Sequence, residues 1–196
     1  MKIFVFDVDG VVLDYKSGYS DFLADKQGNI VGKNDPALPL PKCSEWDFIN
    51  STKFGKLQPL IAPEKFNHLC SDGKVFFVTN LPPKIKSIRI DNLRKLGFEF
   101  KEVLTAGFET YGEREYPTKG EVLLKIVGKH QHFLFVDDYY ENCDEIALQF
   151  SHAKVFMLKG AHDFHKSTSR FEKVENWQIL EKRIVSIKNE SNKADN

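Results

Sequence analysis

Cysteine is scarce in this 196-residue chain, which has only Cys43, Cys70 and Cys143. They are widely separated, odd in number and form no C-x-x-C pair, which argues against a disulfide framework and against a thiolate metal site. Packed or incidental thiols in a reducing, cytoplasmic setting are the expectation. Charge imbalance is also missing. Lys+Arg and Asp+Glu each number 28, so no global field draws the chain to nucleic acid or to an anionic membrane, and neither is expected as a partner. No apolar run reaches the ~20 residues that span a bilayer. The apolar run after Met1 is broken by Asp7 and Asp9, unlike a secretion signal. The phosphate loop G-x-x-x-x-G-K-[ST] does not occur, nor does any internal repeat or low-complexity block.

What is present suits a globular core, with 41% hydrophobic residues and 17 Phe. The length fits a single domain over 1–190 with a flexible tail at 191–196. Short buried-strand patterns recur at Ile3–Phe6, Lys74–Thr79, Phe100–Leu104, His132–Val136 and Lys154–Leu158. Helical patterns lie between them. One runs from Pro63 to Cys70. Another opens at Pro82 and Pro83 and stops at Gly97, with Ile85, Ile88, Leu93 and Leu96 approximating one face. A third spans Thr118–Val127, with Val122, Leu123 and Ile126 inward. A fourth covers Asn142–Phe150. Asn176 caps a last helix carrying Trp177, Leu180, Ile184 and Ile187. Strand–helix alternation predicts an α/β fold: a Rossmann-like three-layer α/β/α sandwich around a mainly parallel five-stranded central sheet.

Residues 13–62 interrupt that alternation and read as an insertion, a flap followed by a small cap. LADKQGNIVG suggests a hairpin turning near Gln27–Asn29. DPALPLP at Asp35–Pro41 excludes a regular helix or a central strand. Ser44–Ser51 suggests a short helix, with Ser44 as N-cap and Asp47 at the capping-box position. Trp46 and Phe48 either line the substrate entrance or pack the cap onto the domain. Tyr139, Tyr140, His162 and His165 are candidates for the rim, against a default of solvated loop.

Polar residues fall at the C-terminal ends of the strands. Asp7 and Asp9 follow the first, Thr79 and Asn80 end the second, Asp137 and Asp138 end the fourth, and Lys119 opens the helix between strands three and four. In a parallel sheet all of these face one edge, where ligands bind in such folds. Each also has an ordinary reading as a solvated turn, a helix cap or a surface lysine. Their joint placement carries the argument. Two carboxylates one residue apart repel unless a cation or a shared proton relieves them.

The set D-V-D-G at Asp7–Gly10, T-N at Thr79–Asn80, Lys119, and D-D at Asp137–Asp138 resembles the haloacid dehalogenase superfamily of phosphohydrolases, with a fold-level match to about Leu158. The resemblance implies a magnesium-dependent phosphatase acting on a phosphorylated small molecule. Asp7 would be the nucleophile that forms an aspartyl-phosphate, and Asp9 the acid/base. Mg²⁺ would be held by the Asp7 and Asp137 side chains and the Asp9 backbone carbonyl, with Asp138 orienting these ligands or metal waters. Thr79 and Asn80 would bind phosphate oxygens, and Lys119 would offset charge on Asp7 and on the transferring group. Val11 stands where the superfamily often has threonine, which removes a hydroxyl from the loop. Asp9 argues against a dehalogenase, which usually lacks the second aspartate. A P-type ATPase would carry D-K-T-G-T, and in a response-regulator receiver the acidic pair precedes the phosphorylated aspartate. A phosphate-binding or regulatory module with little turnover is the rival of a different class.

Overall fold

In the computed structural model the described residues are 2–31, 45–106, 109–110, 113–114, 117–128, 131–160, 164–166 and 168–194. The chain opens with β1 (Lys2–Phe6), then α1 (Tyr15–Val31), α2 (Glu45–Ile49) and a single 3₁₀ turn at Phe54–Lys56. Next come α3 (Pro63–Leu69), β2 (Gly73–Thr79), a 3₁₀ turn at Pro83–Ile85, α4 (Lys86–Leu96) and β3 (Glu102–Thr105). A small antiparallel pair, β4 (Glu109–Thr110) with β5 (Glu113–Arg114), precedes α5 (Lys119–Ile126). Finally come β6 (Phe133–Asp137), α6 (Tyr140–Gln149), β7 (Ala153–Leu158), β8 (Glu172–Val174) and α7 (Trp177–Ala194).

The main sheet has the order β3-β2-β1-β6-β7-β8, and every pairing in it is parallel. It has six strands where five are expected. The additional one, β8, is short and charged (Glu172, Lys173, Val174), so it lacks the apolar run that marks a buried strand. It joins as an edge, pairing Phe156 with Glu172 and Leu158 with Val174. Strand alternation sends side chains to two faces. Phe4, Phe6, Val75, Phe77, Leu134 and Val136 pack with α3, α4 and α7. Ile3, Val5, Phe76, Val78, Phe133 and Phe135 pack with α5 and α6. The Rossmann-like three-layer architecture is therefore present. On α5, Leu123 points inward as expected while Ile126 is exposed. The α7 helix begins after Asn176, whose Oδ1 accepts the Ile179 N–H at 3.0 Å. It continues to Ala194, so most of the expected tail is helical. None of the helices, among the described residues, is long and apolar enough to cross a membrane.

The expected hairpin near Gln27–Asn29 is not formed, because α1 runs through it to Val31. Asp14 starts this helix, its Oδ1 accepting the Ser17 N–H at 3.0 Å. Tyr15, Tyr19 and Phe22 then recur at helical spacing and pack on Phe48. That apolar stripe overrides the local turn propensity of Gly28 and Asn29. Phe48 is fully buried and belongs to the same core as the sheet face bearing Phe6 and Phe77. The insertion is thus seated on the domain through a continuous core. Ser44, the proline-rich Asp35–Pro41 and Cys43 lie outside the described residues. Burial pushes the Cys70 thiol up to about 12 and raises that of Cys143 as well, as packed thiols should be.

Candidate active site

Strand β1 has β2 on one side and β6 on the other, so the chain reverses its direction of progress across the sheet beside it. Ligand clefts in open α/β sheets form at such a switch point, beyond the strands' C-terminal ends. The Asp7 N–H donates to the Val136 carbonyl at 2.8 Å, fixing the end of β1 against β6. The chain then folds into a tight turn, with the Val12 and Leu13 N–H groups both on the Val8 carbonyl at 2.9 Å. Gly10 occupies this turn with φ +88°, and a Cβ there would sit 2.3 Å from Asp138 Oδ2. A Cβ on Gly160 would lie 2.2 Å from that same oxygen. Two glycines therefore make the space that the Asp138 carboxylate fills.

All seven residues singled out in the sequence (Asp7, Asp9, Thr79, Asn80, Lys119, Asp137 and Asp138) line one cleft of about 290 Å³. Lys119 is the first residue of α5, behind a capping box in which Thr118 and Glu121 exchange hydrogen bonds. Its ammonium is buried and bridges Asp7 Oδ1 at 2.5 Å and Asp137 Oδ2 at 2.7 Å. Asp137 is held further by the Tyr139 N–H on Oδ1 at 2.9 Å and by Asn142 Nδ2 on Oδ2 at 3.0 Å. Burial raises the Asp7 carboxyl well above its usual range; Lys119 opposes this, while Asp137 and Asp138 add to it. Burial alone would lower the Lys119 ammonium, but Asp137 and Asp7 outweigh it and push the group up.

Oxygens of Asp7, Asp137 and Asp138 lie within 4.8 Å of one another. An all-carboxylate, buried donor set of that size suits a hard divalent cation such as Mg²⁺, which takes oxygen ligands at about 2.0–2.1 Å. Asp7 Oδ1, bonded to Lys119, and Asp137 Oδ1, bonded to the Tyr139 N–H, each retain a second lone pair for such an ion. The Asp138 side chain thus stands among the clustered oxygens, in line with Asp7 and Asp137.

Asp9 is the one aspartate of the set turned elsewhere. Its carboxylate is clamped by Arg89, with Nη2 on Oδ1 at 2.5 Å and Nε on Oδ2 at 3.1 Å. The Thr79 hydroxyl donates to Asp9 Oδ2 at 3.3 Å, so in this arrangement its proton is directed at Asp9. Arg89 is wholly buried and does not stand out in the sequence, where a lone arginine in K-S-I-R-I-D resembles a solvated one. The available signal is spacing: Arg89 falls four residues after Ile85 and four before Leu93, both of which are buried.

The cleft is also lined by residues that the sequence does not flag. Tyr15 and Glu45 line it together with Ile49, and the Tyr15 hydroxyl donates to Glu45 Oε1 at 2.5 Å. Burial and Glu45 both raise the Tyr15 hydroxyl, keeping it protonated. Neither Trp46 nor Phe48 lines the cleft. The Trp46 ring lies 4.6 Å from the Lys84 ammonium, and Phe48 is in the core. The second reading of those aromatics, as packing, is the one observed. Tyr139 lines the cleft, while Tyr140 packs edge-on against Phe171. His165 does not line it, and His162 lies outside the described residues.

No protein-family model matches the chain. No curated protein matches it either. Solved structures do. The D,D-heptose 1,7-bisphosphate phosphatase of B. bronchiseptica, complexed with magnesium and phosphate, is similar at TM-score 0.61 and 11% identity, over 95% of this chain and 99% of that one. A haloacid dehalogenase-like family hydrolase from Xanthomonas campestris is similar at TM-score 0.57 and 12% identity, over 94% and 96%. An L-2-haloacid dehalogenase is similar at TM-score 0.64 and 11% identity, over 95% and 99%. With this likeness spanning nearly the whole of each chain, and with its acidic cleft at the switch point of the sheet, the protein has the fold of the haloacid dehalogenase superfamily.

Proposed function

We propose that the protein is a Mg²⁺-dependent phosphatase that hydrolyses a phosphate monoester of a small molecule through a phosphorylated Asp7. The observation that carries this reading is the buried Lys119 ammonium shared between Asp7 and Asp137, beside the third carboxylate of Asp138. Lys119 holds Asp7 Oδ1, which leaves Oδ2 as the attacking oxygen. An Asp7–phosphorus bond forms as the ester's P–O bond breaks, and the departing oxygen takes a proton from Asp9. Water then attacks the same phosphorus while Asp9 accepts its proton, releasing phosphate and restoring the Asp7 carboxylate. Asp7, Asp137 and the Asp9 backbone carbonyl would hold Mg²⁺, with Asp138 at the same cluster. The ion would supply charge withdrawal from the phosphoryl oxygens. Lys119 supports the same charge redistribution from the protein side. Thr79 and Asn80, lining the cleft, would meet the phosphate oxygens. For Thr79 this needs its hydroxyl to rotate away from Asp9.

Among the described lining residues Lys119 is the sole lysine or arginine, against carboxylates at Asp7, Asp9, Glu45, Asp137 and Asp138. With Glu45 among the lining residues, this balance favours a leaving group without a second negative charge. The test is hydrolysis of a generic aryl phosphate with Mg²⁺, followed by a panel of phosphate esters. Asp7→Asn is expected to abolish turnover and retain the fold by circular dichroism. Wild-type turnover in that variant would refute the nucleophile. Phosphate affinity without Asp7-dependent turnover over the whole panel would instead identify a binding module.

A further inference from the structure

Arg89 joins three parts of the molecule that are distant in sequence. It lies on α4, 0% exposed, and its guanidinium carbon sits 3.5 Å from the centre of the Phe54 ring. Nη1 donates to the Phe54 carbonyl at 2.6 Å, while Nε and Nη2 donate to the two oxygens of Asp9. Phe54 in turn packs on Phe48 and Tyr15. The guanidinium is therefore fixed in plane by a ring beneath it and a carbonyl beside it, and its remaining edge is presented to Asp9.

Stability is a weak reason for such a pair. Desolvating two charges offsets much of their attraction, and apolar replacements of similar volume are often as stable. Geometry gives a better one. A carboxylate has about four lone-pair sites. Arg89 occupies one on each oxygen, and Thr79 occupies the second on Oδ2. One site on Oδ1 is left, and a second opens on Oδ2 when Thr79 turns to phosphate, on a side chain that keeps 17% exposure and lines the cleft. We propose that Arg89 is a positioning residue for Asp9: its two-point clamp fixes the carboxylate plane so that the edge turned away from the guanidinium exchanges the proton with the departing oxygen and then with water. The inference rests on the acid/base reading of Asp9, and the experiment separates the two.

Single-turnover release of the leaving group is measured with Mg²⁺ from phenyl phosphate and from 2,4-dinitrophenyl phosphate. Phenolate is a poor leaving group and gains from a proton delivered in the transition state; dinitrophenolate departs as a stable anion. Asp9→Asn is expected to widen the ratio of the two rates by on the order of 10²-fold. If it does not, the acid/base reading falls and the inference with it. Given that widening, Arg89→Gln is expected to widen the ratio by about tenfold or more, as a displaced proton donor should. Arg89→Lys should not restore it, since one ammonium cannot clamp both oxygens in a plane. An unchanged ratio in Arg89→Gln, with the selective loss intact in Asp9→Asn, would overturn the proposal. Phe54→Leu removes the ring beneath the guanidinium without removing the ion pair, and so provides the test if Arg89→Gln does not fold. It is expected to widen the ratio by about threefold, and an unchanged ratio there counts equally against the clamp.

Discussion

Asp7 is a carboxylate that its surroundings disfavour. Burial raises it, Lys119 only partly counters that, and Asp137 and Asp138 raise it further. A folded-state value above the unfolded one means that the native protein holds the proton to higher pH. Stability contributed by protonated Asp7 is then lost as pH climbs from about 3.9 through the raised value. Lys119 is also raised, so its contribution persists below the ordinary lysine range and fades only in strong alkali. Without divalent cation at neutral pH, Asp7→Asn is expected to raise Tm by ~2–4 °C, about 1 kcal/mol for a chain of this size. It should also flatten the decline in stability that Asp7 gives as pH rises above about 3.9. Thermal melts in EDTA check this, and a lower Tm would mean that the Lys119 contact outweighs burial. The aspartates were legible in the sequence because each ends or follows a strand, and strand ends are readable. Arg89 and Asn142 were not, because a partner of an aspartate on another element leaves no mark except its position on a buried helical face.

At the scale of elements, the insertion shows where local signals mislead. Gly28 and Asn29 are turn formers, yet Tyr15, Tyr19 and Phe22 decide the conformation because their stripe has Phe48 and Phe54 to cover. A stripe with three members in a seventeen-residue segment is diluted by Lys16, Asp21, Asp25 and Lys26, so only the partner elements reveal it. The core strands were legible for the opposite reason: buried on both faces, they read as unbroken apolar runs. Phe48 meets four rings with centroids 5.3–5.5 Å away. Phe48→Ala is expected to cost about 3–5 kcal/mol, the usual range for a buried phenylalanine. The loss should concentrate in the insertion, with amide exchange in α1 and α2 accelerating more than in β1 and β6. Uniform acceleration would show that the insertion and the sheet unfold together.

Across the whole molecule, residues separated by more than a hundred positions meet around β1, the strand between β2 and β6. The far end of the chain takes part. Trp177, the first residue of α7, stacks on Phe6 at 5.9 Å and meets Phe66 edge-on. Its indole N–H donates to the Val11 carbonyl at 2.6 Å, in the turn that carries Asp9 and Gly10. The other tryptophan, Trp46, lies on the insertion over Lys84, and the chain has no third. The protein therefore carries one natural fluorophore on each of the two parts that border the cleft. In a Trp46→Phe background, emission from Trp177 is expected to shift saturably as Mg²⁺ or inorganic phosphate is added. Trp177→Phe should silence that signal, and a flat titration would show that the turn does not respond to either ion. An indole that shares a hydrogen bond with the turn carrying Asp9 would make occupancy of the cleft visible as light, without a substrate and without a single turnover.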